Sequence, residues 1–371
     1  MRSPVGVGLV GTGGFGVFCL DAFTDMPEIK VVAVADTDLR RAQSAAPSGA
    51  RAYEGYDGLL ADPNVEIIAI NTPPFLHGPM AIQAAQAGKH IFVEKPLATS
   101  VEEAKAAIQA AQDARVQMTV DYVLRYHPLH TLATHIVQSG ALGAMRHWSL
   151  ENFAADDSLL PDHWFWDPVQ SGGIHVEHGV HFFDLCNHLV GAAPDTVSGF
   201  VQQRPDGRVD RVSATVCYGN DVLATFYHSF NQIRRIEETT IRINCEHGHI
   251  MLFGWIPTRL TLTGLVNAPG LIALEDLLGD HLDIVEQFDD REFKHGDAVE
   301  QLAAQVQSTV HAPDRQGDYR RAIQAGMQNL VEVIWGEQTL QVTAEDGLLS
   351  LAVGLAATES AACGRTLPVV I

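Results

Sequence analysis

Gly11-Thr12-Gly13-Gly14-Phe15-Gly16 carries a GxGxxG spacing directly after a β-branched run and directly before a helical pattern. In that position the first glycine permits a tight turn, the second lets the backbone approach a pyrophosphate, and the third lets helix and strand pack closely. The free N–H groups of the helix start, around Gly14 and Phe15, add an anion site. Asp36 stands twenty residues after Gly16, at the end of the next β-branched run. An acidic side chain there accepts bonds from ribose hydroxyls and repels a 2′-phosphate, so NAD is expected in preference to NADP. Arg40 and Arg41 follow closely and could offset that repulsion.

A second chemically dense segment runs from Ser171 to Asp184 and spaces His175, His178 and His181 three residues apart around Glu177. On a continuous helix Glu177 would lie one turn from His181 on the same face. Two steps of three residues leave His175 and His181 about 120° apart, so the three imidazoles do not all converge; His178 and His181 could still meet at a zinc with Glu177 nearby, but no metal is expected. His175-Val176-Glu177 imitates the HxE of zinc deaminases, but the required PCxxC is missing. For His175 and His178, helix-start capping or a satisfied pocket position is expected before metal binding. His163-Trp164-Phe165-Trp166-Asp167 precedes this segment, and the faces of Trp164 and Trp166 are suited to the apolar side of a sugar ring.

The elements that must position these groups change character along the chain. Val5 to Val10, Val31 to Ala35, Glu66 to Asn71, His90 to Val93 and Val116 to Val120 read as short strands. They alternate with helical patterns, including Phe15, Phe18, Cys19, Ala22 and Phe23 at helical spacing, and the alanine-rich stretches Met80 to Ala87 and Val101 to Ala111. That alternation is the mark of βαβ units and a parallel sheet covered on both faces. Beyond about residue 140, longer strands follow: Arg146 to Phe153, Asp195 to Gln203, Arg208 to Tyr218, Val222 to Phe230 and Glu238 to Asn244. Tyr218-Gly219-Asn220-Asp221 reads as a hairpin turn, and Asn267-Ala268-Pro269-Gly270 as a weak break. The fold expected is an α/β Rossmann domain over residues 1–125, followed over 126–371 by an α+β domain with an open, mainly antiparallel sheet. Two late helices, about Tyr319 to Trp335 and Ala344 to Ala362, could return to pack on the sheets.

Composition narrows the function. The 371 residues include 45 acidic against 24 Lys or Arg, a net charge of −21, which leaves no basic stripe for nucleic acid. With 46% hydrophobic and 19% charged residues the chain should fold around a real core. Five dispersed cysteines without a CxxC pair suggest reduced, mostly buried thiols. The apolar stretch behind Arg2 is broken by glycines and by Asp21, so a cytoplasmic enzyme without a signal peptide or membrane span is expected.

Beyond the fingerprint, Thr72-Pro73-Pro74 with His77, Ala87-Gly88-Lys89-His90 leading into Glu94-Lys95-Pro96, and Gly172-Gly173 through His181 and Asp184 fall in a familiar order. By these motifs the chain resembles the family of glucose-fructose oxidoreductase, inositol dehydrogenase and their relatives, strongly to about residue 190 and by pattern afterwards. The resemblance implies a nicotinamide cofactor, with Thr72, Pro73, His77, Glu94 and Lys95 joining Gly11, Gly13, Gly14, Phe15, Gly16 and Asp36 around it. It implies Lys95 as the active-site lysine, placed between Glu94 and a helix-starting proline, whose ammonium would stabilise a developing alkoxide. It implies His181 as general acid/base, a role suited to a group that titrates near neutral pH. Many relatives carry Asp where Glu177 stands, so Glu177 could orient His181, bind a substrate hydroxyl, or both. Arg125 and Tyr126, at the carboxyl end of the first sheet, are implied as a substrate wall, the alternative being an ordinary interdomain linker, and His178 is a further candidate substrate contact.

The leading expectation is NAD-dependent hydride transfer at a hydroxyl-bearing carbon of a sugar, sugar derivative or cyclic polyol. A rival keeps the site but cleaves a glycosidic bond by transient oxidation and elimination, and a third reading is a non-catalytic cofactor-binding sensor. An open sheet with one bare face calls for a homodimer or homotetramer.

Overall fold

The computed structural model describes residues 2–219, 221–295 and 298–371. Six parallel strands make the first sheet: β1 Val5–Val10, β2 Ile29–Asp36, β3 Arg51–Glu54, β4 Ile67–Ile70, β5 His90–Val93 and β6 Met118–Val120, in the order β3-β2-β1-β4-β5-β6. Every residue of β1 and β4 is buried because helices cover both faces. The strand order reverses beside β1, and the carboxyl ends of β1 and β4 open the crevice in which such sheets take ligands. β3 was not foreseen: Arg51-Ala52-Tyr53-Glu54 has no β-branched residue, and it holds as an edge strand paired only with β2.

The second sheet has ten strands. They are β7 Met145–Ala155, β8 Pro194–Gln203, β9 Val209–Tyr218, β10 Val222–Gln232, β11 Glu238–Cys245, β12 Gly248–Phe253, β13 Arg259–Val266, β14 Leu282–His295, β15 Ala298–His311 and β16 Leu367–Pro368. Their order is β14-β15-β13-β12-β11-β7-β10-β9-β8-β16, and only β7 and β10 run parallel. The Rossmann domain followed by a mainly antiparallel sheet is therefore the architecture. β9 and β10 pair antiparallel with Tyr218 opposite Val222, as the expected hairpin requires; Asn220 of that turn lies outside the described residues.

Three sequence expectations are corrected. Asn267 does not break the chain: its side chain accepts from the Gly270 N–H and caps the helix Ala268–Leu278, with Pro269 in the first turn where its missing N–H costs nothing. Pro96 starts no helix; the next one, Val101–Ala114, begins behind the N-cap Ser100, and the Lys95–Pro96 peptide is cis. Of the thiols, Cys19 and Cys186 are buried, Cys245 is half-buried, and Cys217 and Cys363 are exposed.

The C-terminal helices tie the two sheets together. The helix Ala344–Cys363 lies against β8, where a Cβ on Gly199 would stand 1.9 Å from the Ala357 carbonyl oxygen, so only glycine admits the approach. It also reaches the first domain, where Tyr122 donates to Ser350 at 3.0 Å. The helix Arg315–Ile334 packs on the helix Gly14–Thr24, with Gln324 bonded to the Ala22 carbonyl. One hydrophobic cluster consequently runs from Val5, Leu9 and Phe23 through Leu330 to Trp148 and Ile250. Among the described residues no helix is long and apolar enough to cross a membrane.

Candidate active site

A cleft of about 930 Å3 runs from the fingerprint loop to the second sheet. At one end, a Cβ on Gly11 would meet the Asn71 carbonyl oxygen at 2.3 Å and one on Gly16 the Gly11 carbonyl oxygen at 1.9 Å, so both glycines are fixed by close packing. Gly13 and Gly14 have nothing within 4 Å of a built Cβ; their bare backbone faces open space at a helix start, as a pyrophosphate requires. Phe15, Thr72, Pro73, His77, Glu94 and Lys95 line the same cleft.

Asp36 ends β2 beside this loop. Burial alone would raise its pKa, but N–H bonds from Asp38 and Thr12 and the Thr12 hydroxyl outweigh it and hold the carboxyl below its usual range. The ionised carboxylate pins the loop and still lines the cleft. Arg41 also lines it; Arg40 does not.

At the other end Lys95 Nζ donates to Glu177 Oε1 at 2.6 Å and to the Glu177 carbonyl oxygen at 2.8 Å, with both side chains almost enclosed. Burial would raise the Glu177 carboxyl, yet the charge and the hydrogen bond of Lys95 keep it low and therefore ionised. Among the described residues Glu177 is bonded to Lys95 and makes no hydrogen bond to His181. The helix Ile174–Glu177 stops there, and a second helix starts at Val180, so the expected one-turn relation is broken at His178-Gly179. His181 is buried, its Nδ1 has no hydrogen-bond partner among the described residues, and burial followed by the Lys95 charge holds it well below 6.5, as a neutral imidazole. His178 is neutral for the same first reason, with a pKa of about 4, and its Nε2 faces the Asn152 amide at 3.3 Å.

A second cavity, of about 530 Å3, adjoins the cleft and shares Glu177, His178, His163, Trp164 and Trp255 with it. Its aromatic walls include Phe165, Phe230 and Phe253. Trp164 lines both cavities. Trp166 does not: its ring lies under Arg204 and Arg208, and its N–H is bonded to the Leu159 carbonyl. Arg125 is likewise removed from the cleft, bonded through two nitrogens to Asp184 at 2.7 and 3.0 Å, with Asp346 at 3.4 Å. Tyr126 packs beside Gly326, with its hydroxyl 3.4 Å from Asn329. His175 is a satisfied core histidine, its ring nitrogens facing the Ser213 carbonyl and the Thr358 hydroxyl.

Sequence reading missed Asp121, Trp255 and Tyr319, all of which line the cleft. Asp121 carried a usable signal, since it directly follows β6 at the carboxyl end of the sheet. Trp255 and Tyr319 carried none, because they come from a turn after β12 and from the helix Arg315–Ile334.

Residues 5–122 match the profile of an oxidoreductase family with an NAD-binding Rossmann fold, GFO/IDH/MocA, and residues 130–251 match a C-terminal domain of the same family. The chain is 28% identical to a scyllo-inositol 2-dehydrogenase (NAD(+)) of Bacillus subtilis over 97% of this chain and 95% of that protein. It is 30% identical to D-xylose 1-dehydrogenase (NADP(+)) 2 of Haloferax volcanii, over 64% of this chain and 74% of that one. In fold it resembles a levoglucosan dehydrogenase solved with NADH and levoglucosan, at a TM-score of 0.80 and 22% identity over 99% of both chains.

Proposed function

The chain belongs to the GFO/IDH/MocA oxidoreductase family, and from that premise we propose that it oxidises a secondary hydroxyl of a cyclic polyol or sugar with NAD, using Lys95 and His181 at the reacting oxygen. The observation that carries this reading is the enclosed Lys95–Glu177 ion pair beside neutral His181, in a cleft whose far end is the glycine loop and Asp36. NAD, when bound, supplies the hydride acceptor. Glu177 fixes the Lys95 ammonium, which points a positive charge at the oxygen as it becomes alkoxide-like. His181 is uncharged and so able to accept the hydroxyl proton. Trp164 and Trp255 offer ring faces to the apolar side of the substrate. Asp36 favours NAD over NADP. The enzyme would work in the cytoplasm as a homodimer or homotetramer.

A panel of inositols, pentoses and anhydrosugars with NAD+ and with NADP+ tests the reading by NADH or NADPH formation. NAD+ should be favoured over NADP+ by at least about tenfold, equal to about 1.4 kcal/mol. Preference for NADP+ would transfer control of the ribose site from Asp36 to Arg41. Glycoside cleavage without net NADH would replace the dehydrogenase reading by transient oxidation and elimination.

A further inference from the structure

Beneath the reaction end of the cleft, Glu94 and Asp121 point at each other from the carboxyl ends of β5 and β6. One oxygen of each, together with the Cys19 sulfur, lies within 4.8 Å of the others. All three side chains are buried. Both oxygens of Asp121 and Oε1 of Glu94 lack any hydrogen-bond donor among the described residues. Two ionised carboxylates so close and so dry would repel strongly, whereas a single shared proton supplies the missing donor and removes one charge.

Resting on the reading that NAD occupies this cleft, we infer that Glu94 and Asp121 share one proton in the free enzyme and release it to solvent when the cationic nicotinamide ring of the oxidised cofactor enters. The reduced ring is neutral and leaves the proton in place. The pair thus makes the enzyme prefer the oxidised over the reduced cofactor as pH rises, a property that neither the fingerprint loop nor the Lys95–His181 site provides.

The surroundings agree. Burial lifts Asp121 to about 6, against the lowering effects of a proton carried by the facing Glu94 carboxyl and of the Lys95 charge. Burial and then the Asp121 charge push Glu94 well above its usual range, with Lys95 opposing. The other titratable groups facing the pair are Cys19 on the helix Gly14–Thr24, Tyr126 after β6 and Tyr319 on the helix Arg315–Ile334; burial raises all three, so they stay uncharged. Lys95 is therefore the one cation beside the pair among the described residues, and it is already held by Glu177. A second positive charge entering the cleft is what would tip the pair into full ionisation.

Calorimetric titration of NAD+ and NADH, in buffers of different ionisation enthalpy, measures affinity and proton count separately. Expected are release of most of one proton per NAD+ near neutral pH, none with NADH, and NAD+ affinity rising with pH by up to about tenfold per unit, the limit for one linked proton. D121N should remove the release and flatten the pH dependence while still binding cofactor; if it does not fold, E94Q serves in its place. Equal release with both cofactors, release that persists in the variant, or NAD+ binding without release would each overturn the inference and leave the cofactor reading standing. Failure to bind either cofactor would overturn the cofactor reading and the inference with it. A stoichiometric divalent metal, retained on dialysis and lost to chelator, would reassign the cluster to a cation.

Discussion

Lys95 and Glu177 divide their work by geometry. Glu177 takes one direction of the ammonium through its carboxylate and another through its carbonyl, which leaves the remaining N–H for the cleft. K95A should therefore lower kcat by about 10²- to 10³-fold, the usual cost of losing one donor to a developing oxyanion, and leave the Kd for NAD within a few-fold. Steady-state rates beside cofactor titration check this, and a parallel loss of cofactor affinity would move Lys95 into the binding site. E177Q should cost less, since an amide oxygen still accepts from Nζ, though without charge. His181 acts as a base only while neutral, and burial depresses its pKa. With NAD+ saturating, the acid limb of kcat/KM for the hydroxyl substrate is accordingly expected well below pH 6.5, and a limb at or above 6.5 there would exclude His181 as the base. H181A should regain rate at alkaline pH as hydroxide replaces the imidazole. Most of these residues were legible in the sequence because each lies in a short local motif. Arg125 was misjudged for the opposite reason: its partners Asp184 and Asp346 are remote in sequence, and no local pattern reveals that its charge is already matched.

At the level of elements, the parallel sheet was readable because its buried strands are nearly continuous apolar runs between helical patterns, whereas the second sheet was readable only in part. β12 to β15 were not foreseen, and in β14 charged residues such as Glu286, Arg291 and Glu292 hide the two-residue period. Helix Ala268–Leu278 escaped because a capping Asn and a first-turn Pro look like a turn until the cap is seen. The joint between domains was the least legible part. Arg125 after β6 and Asp184 on the helix Val180–Val190 meet in one buried pair, with half-buried Asp346 on the helix Ala344–Cys363 at its edge. Burial lifts Asp184 to about 6 even against the Arg125 charge, so without the guanidinium its carboxylate would stand uncompensated. R125A is expected to destabilise by about 3–5 kcal/mol, the usual cost of orphaning a buried charge. Denaturant unfolding measures this; D184N added to R125A should recover part of the loss. If R125A instead raised the substrate KM at unchanged stability, the arginine would be a substrate contact after all.

For the whole molecule, the numerous buried imidazoles set the response to acid. His127, His175 and His178 have pKa values of about 4 and His130 of about 3, while burial also holds His181 and His228 well below 6.5. A histidine depressed on folding contributes stability that is fully present above its unfolded pKa of about 6.5 and is lost as pH falls through the folded value. Asp121 and Asp184, raised to about 6, act in the opposite sense: their contribution is present below the unfolded pKa of about 3.9 and is lost as pH rises through 6. The histidines are more numerous and several of them fill the interface between the cleft and the second sheet, so their effect should prevail. His228 is the extreme case, with neither ring nitrogen bonded among the described residues and its ring 5.3 Å from that of His178. Charging either ring would place a cation against the other in a dry site, beside Phe182 and Phe230. The thermal midpoint of the cofactor-free protein is therefore expected to fall steadily as pH is lowered from 6.5 towards 4, with net proton uptake on unfolding. H228F, which fills the site without a titratable nitrogen, should reduce that slope. A midpoint that is flat or rises on acidification would mean that the raised carboxyls outweigh the histidines.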